Sequence, residues 1–112
     1  MYQYEEIEGY VIVKPKGELD LSNAFNFKKQ LLDNFLNKGK NKLIIDLSDV
    51  HYMDSSALGA MISLHKSCKL NGGMLILIKM DKSLKRLFKL TQLDSIIPIY
   101  ESLDEFLKDM EG

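Results

Sequence analysis

Leu43-Ile44-Ile45-Asp46-Leu47 and, after six intervening residues, Asp54-Ser55-Ser56-Ala57-Leu58-Gly59 decide how this chain folds. The first stretch is short, apolar and β-branched without alternation, the pattern of a strand covered on both faces. The second leads into Leu58, Met61, Ile62 and His65, spaced as one face of a helix predicted over 55–70 and stopped by Asn71-Gly72-Gly73. Two hydroxyls therefore sit where a strand gives way to a helix. The first backbone N–H groups of a helix lack intrahelical partners and carry partial positive charge. On this reading Ser55 caps the helix, and a phosphoryl group carried there would be stabilised by the same N–H groups. Asp54 reads as a turn former and Ser56 as a neighbouring helper cap.

Upstream, Tyr2–Glu6 and Tyr10–Lys14 are rich in strand formers on either side of Glu8-Gly9, which predicts a hairpin. Gly17-Glu18-Leu19-Asp20 leads into a helix capped by Ser22 or Asn23, with Ala24, Phe27, Leu31 and Phe35 as its apolar stripe. Ser48 to Met53 reads as a connection. Downstream, Met74–Ile78 is a second continuous apolar strand, and Ser83–Leu90 a short helix. Ile96–Tyr100 is a last strand, confined to the sheet edge by Pro98. Ser102 and Glu105 form a capping box for a final helix whose apolar face is Leu103, Phe106, Leu107 and Met110.

The order β-β-α-β-α-β-α-β-α predicts an α/β fold. Its sheet is mixed and mostly parallel, of four to five strands, with an N-terminal antiparallel hairpin and about four helices. Sites in such sheets lie beyond the C-terminal strand ends. If the second and third strands are neighbours, Asp20, Asp54, Ser55 and Ser56 share one rim.

The 112 residues suffice for one domain, 1–112, and not two. A net charge of −1 argues against a nucleic-acid binder. Cys68 is alone, which rules out an internal disulfide and a thiol-rich metal site. Tyr-Gln-Tyr-Glu-Glu after Met1 is no signal peptide. The longest apolar runs, about five residues, fall far short of the ~20 that cross a membrane. A cytoplasmic protein without membrane contact is expected. His51 and His65 lack metal-ligand spacing. His65 reads as a boundary residue on the apolar side of its helix and Cys68 as a small buried hydrophobe. Lys82, Lys85, Arg86 and Lys89 share one helix face, solvated or offered to an acidic partner. Glu101, Asp104, Glu105, Asp109 and Glu111 read as a solvated acidic face. An enzyme is not expected: a nucleophilic serine needs a base within reach, and the motif is not the G-x-S-x-G elbow. With no G-x-x-x-x-G-K-[ST] loop, no nucleotide cofactor is expected.

Gly17-Glu18-Leu19-Asp20, Met53-Asp54-Ser55-Ser56-Ala57-Leu58-Gly59, Gly72-Gly73 before a strand, and Lys85-Arg86-Leu87-Phe88-Lys89-Leu90-Thr91 together resemble the bacterial anti-sigma factor antagonists, single STAS domains of the SpoIIAA-like kind. The resemblance covers nearly the whole chain. It implies partner switching: the unphosphorylated antagonist binds an anti-sigma factor that is also a serine kinase, and so frees a sigma factor for transcription. The kinase uses ATP to phosphorylate the first serine after the motif aspartate, here Ser55, and a phosphatase reverses this. Asp20, Asp54, Ser56, Ala57, Leu58 and Gly59 are then the surroundings of the phosphorylation site. The alternative is a STAS scaffold or adaptor in another signalling or transporter complex. Oligomeric state is left open between a monomer and a weak dimer. Ala57 stands where the family usually has glycine; it favours a helix by about 1 kcal/mol and fits poorly if the backbone needs a positive φ.

Overall fold

A computed structural model describes residues 2–111. The apolar runs centred on Ile44 and Ile76 form the middle of a five-stranded sheet because both of their faces find cover. β1 (Tyr2–Ile7) and β2 (Tyr10–Pro15) form the antiparallel hairpin, turning at Glu8 and Gly9 with φ of 52° and 86°. Two successive positive φ values match the right-handed twist of the flanking strands. β4 (Lys42–Asp46) lies parallel to β2, and β6 (Met74–Ile78) lies parallel to β4. β7 (Ile99–Tyr100) closes the order β1-β2-β4-β6-β7.

Alternation along these strands sorts the core into two layers. Val11, Val13, Leu43, Ile45, Leu75 and Leu77 pack towards α1 (Ala24–Asn34), α2 (Ser55–Leu70) and α3 (Lys82–Leu90). Ile12, Ile44, Ile76 and Ile78 face the other way, onto Phe106 of α4 (Leu103–Glu111). The Phe106 ring stands edge-on to Tyr10 and Tyr100, with centroids 5.2 and 5.3 Å apart. On the opposite face Tyr2 and Tyr4 pack against Phe27 and Phe35.

Four details depart from the sequence reading. Two further strands, β3 (Gly17–Leu19) and β5 (Val50–Met53), pair in parallel as a separate two-stranded sheet, so the described residues hold seven strands rather than five. In β5 the pattern runs Val50 buried, His51 and Tyr52 exposed, Met53 buried, which hides the alternation that betrays longer strands. Asn23 precedes α1 but does not cap it: its side chain accepts from the Asp20 N–H and donates to the Glu18 carbonyl. The last strand holds only Ile99 and Tyr100, beside an edge where the Leu77 N–H donates to the Pro98 carbonyl. The box at α4 is half made. Ser102 Oγ accepts from the Glu105 N–H as expected, but the Glu105 carboxylate takes the Glu101 N–H, one residue early.

Gly73 is required by close approach. A Cβ there would stand 1.9 Å from the Asn41 carbonyl oxygen, the atom that accepts the Met74 N–H where β4 and β6 begin to pair.

Candidate functional site

β3 and β5 end side by side, Leu19 opposite Met53, so the residues that follow each strand emerge together. This is how Asp20 and Asp54 come to one rim, through a small accessory sheet rather than through the main strands β2 and β4. The joint is Asp54. Its backbone is extended, with φ −100° and ψ −174°, and its carboxylate serves two segments. One oxygen accepts the Ala57 N–H at 3.0 Å, capping α2. The other accepts the Leu21 N–H at 2.9 Å. The Asp54 N–H donates to the Leu19 carbonyl.

The helix cap is therefore Asp54, and Ser55 is the first residue of α2, exposed to solvent. The reason is chemical. A carboxylate is an acceptor with two oxygens, and at the cap its charge also meets the positive end of the helix. Ser55 is thereby freed from capping and Ser56, half-buried, follows it. The N–H groups of Ser55 and Ser56 lie in the first turn, where no intrahelical acceptor exists. Asp20 is held inside its own loop, its carboxylate accepting from the Ser22 N–H at 3.0 Å and from the Ser22 hydroxyl. Asp20, Leu21, Ser22, Tyr52 and Asp54 line a shallow, open depression.

Ala57 is fully buried in the main core cluster. It lies within α2, and among the described residues the non-glycine positions with positive φ are Glu8, Lys79 and Gln92. The backbone at Ala57 thus makes no demand for glycine, and its methyl group faces the interior rather than the rim. Leu58 is half-buried against the same core, and Gly59 is exposed with open space where a side chain would begin.

Among the described residues neither histidine is hydrogen-bonded to Ser55. His65 is ten positions along α2 from Ser55, about 15 Å at 1.5 Å per residue. Burial, and then Lys69, hold its imidazole below the usual histidine range, and its Nδ1 is buried without a partner. His51 lies on β5, not in a loop, with Nδ1 3.1 Å from the Asp81 carboxylate. Asp81 caps α3 by accepting the Leu84 N–H at 2.9 Å. That bond, and then His51, hold its carboxyl below the usual carboxylate range. Burial pushes the Cys68 thiol up to about 11, which keeps it protonated and unreactive near neutral pH. Among the described residues, no three His, Cys, Asp or Glu side chains converge as a metal site, and no helix is long and apolar enough to cross a membrane.

On the basic face of α3, Lys85 is engaged by Glu101. Arg86 turns instead towards a trough lined by His51, Tyr52, Leu87 and Leu90. Within the acidic face, Asp109 accepts from the Tyr100 hydroxyl.

A serine on the opening turn of a helix, flanked by a tethered loop and set on a mixed sheet with helices on both faces, defines a small α/β binding module. The chain belongs to the STAS domain family, whose model matches residues 1–106, and within it to the anti-sigma factor antagonists. A Thermotoga neapolitana protein, provisionally named an anti-sigma factor antagonist homologue, is 39% identical over 112 residues, covering 100% of this chain and 99% of that one. The anti-sigma-B factor antagonist of Bacillus subtilis is 37% identical over 92 residues, covering 82% of this chain and 83% of its own. The crystal structure of a provisionally named anti-sigma factor antagonist from Thermotoga maritima superposes with a TM-score of 0.94 at 37% identity, covering 99% and 95% of the two chains. Proteins of this family are regulators rather than enzymes.

Proposed function

We propose that this chain, acting as a single module in the cytoplasm, is a partner switch. With Ser55 unmodified it binds an anti-sigma factor that is also a serine kinase, and so frees a sigma factor for transcription. The kinase spends ATP on phosphorylating Ser55, which dissolves the complex, and a phosphatase restores it. The protein itself needs no cofactor. The observation that carries this reading is the exposed Ser55 hydroxyl at the first position of α2, relieved of capping by Asp54.

Electrostatics make such a switch effective without a large rearrangement. Phosphoserine adds about −1.5 to −2 charges near neutral pH. The N–H groups of the first turn offset part of that charge within the protein. Asp20 and Asp54, on the same rim, oppose it. A partner surface fitted to a neutral hydroxyl would have to desolvate the dianion, and each loss of about 1.4 kcal/mol weakens binding tenfold.

The test is intact-mass and peptide mapping after incubation with ATP and candidate kinases from the anti-sigma factor class. A single phosphate on Ser55, with release of the bound kinase, supports the reading. Phosphate on another residue, or equal affinity of the two forms for the kinase, overturns it.

A further inference from the structure

We infer that Asp54 is a positioning residue that holds the loop after β3 against the first turn of α2, so that Leu21 and Ser55 meet a partner as one preformed unit. This rests on the partner-switch reading and assigns Asp54 a part in it beyond neighbouring the serine.

The two carboxylate oxygens of Asp54 do different work. The bond to the Ala57 N–H is a cap whose hydrogen bond serine or asparagine would also supply, without the charge. The bond to the Leu21 N–H spans 33 positions of sequence and contributes nothing to the helix. Capping alone does not call for a second oxygen; joining the two segments does. The loop so held is already stiff. Asp20 binds the Ser22 N–H and hydroxyl, and Asn23 reaches back to Glu18 and Asp20. These bonds tie it into one piece, and Asp54 attaches that piece to α2.

What the loop presents is Leu21, whose side chain is 80% exposed although its backbone is fixed. Tyr52, 51% exposed, stands across the same depression. A large apolar side chain held in water, on a loop that Asp54 joins to the turn carrying Ser55, is a contact prepared for burial. Holding it in advance spares the complex the cost of ordering the loop on docking.

The experiment compares Asp54→Ser with the wild-type chain, because serine keeps the cap but has one oxygen and cannot reach both N–H groups. Amide hydrogen exchange should show the Leu21 N–H losing at least tenfold protection while the Ala57 N–H keeps its own, with thermal stability close to that of wild type. With the kinase that phosphorylates Ser55, KM should rise about 3- to 10-fold, the size of an ordering cost, with kcat unchanged. Leu21→Ala, an exposed position, should raise KM similarly, and Asp54→Ser should add little to it in the double variant. Unchanged Leu21 exchange in Asp54→Ser, or effects of the two substitutions that simply multiply, would overturn the inference. A wild-type chain that no such kinase phosphorylates on Ser55 overturns the switch reading instead; the exchange comparison decides the tether separately.

Discussion

Ala57→Gly places at position 57 the glycine that the motif resemblance implies there, and the structure sets what the change should cost. Ala57 is helical and fully buried. Glycine there frees the unfolded backbone, at about 0.5–1 kcal/mol. It also removes a buried methyl group, worth about 0.8 kcal/mol. The sum is a loss of about 1.3–1.8 kcal/mol, which for a domain of this size lowers Tm by about 5–8 °C. Urea unfolding should show an earlier midpoint with an unchanged slope, since the folded and unfolded states expose the same surface as before. Because the methyl group faces the core, phosphorylation of Ser55 by the kinase should keep its wild-type KM at temperatures where the variant is folded. Unchanged stability would refute the burial reasoning. A changed KM in the folded variant would show that position 57 meets the kinase after all.

Ser55→Ala should abolish labelling by the kinase in an ATP assay yet bind it, whereas Ser55→Asp should weaken binding at least tenfold in titration calorimetry, for the electrostatic reason above. Gly73→Ala should destabilise by about 2–4 kcal/mol in denaturant melts, because a methyl 1.9 Å from a carbonyl oxygen is relieved only by parting β4 from β6. Asp81→Ala should remove a cap and with it a share of acid sensitivity. The folded pKa of Asp81 lies below the unfolded value of ~3.9, so the unfolded chain takes up the proton first as pH falls. Its contribution is complete above the unfolded value and is lost as pH drops through the folded one. Melting temperatures of wild type and variant should therefore converge in acid, and a constant gap down to pH 2 would contradict the assignment.

Much of this protein is decided by local pattern. Continuous apolar runs at Leu43–Leu47 and Met74–Ile78 mean strands covered on both sides, and Leu58, Met61 and Ile62 mean a helix laid on one of those sides. These features need only side-chain size, spacing and the positions of glycines, so the element order, the hairpin and the serine at the start of α2 were legible without coordinates. The accessory sheet was not. Gly17–Leu19 and Val50–Met53 are too short to show a period, and each becomes a strand only because the other lies beside it. The cap of α2 was likewise misassigned to Ser55, since both Asp54 and Ser55 suit an N-cap and only the backbone direction entering the helix chooses between them. Tertiary structure alone decided that Asp54 would bond Leu21, for no rule of spacing connects residues 33 apart. Neighbouring residues report their own conformational preferences, whereas contacts between distant segments exist only once the whole chain has packed.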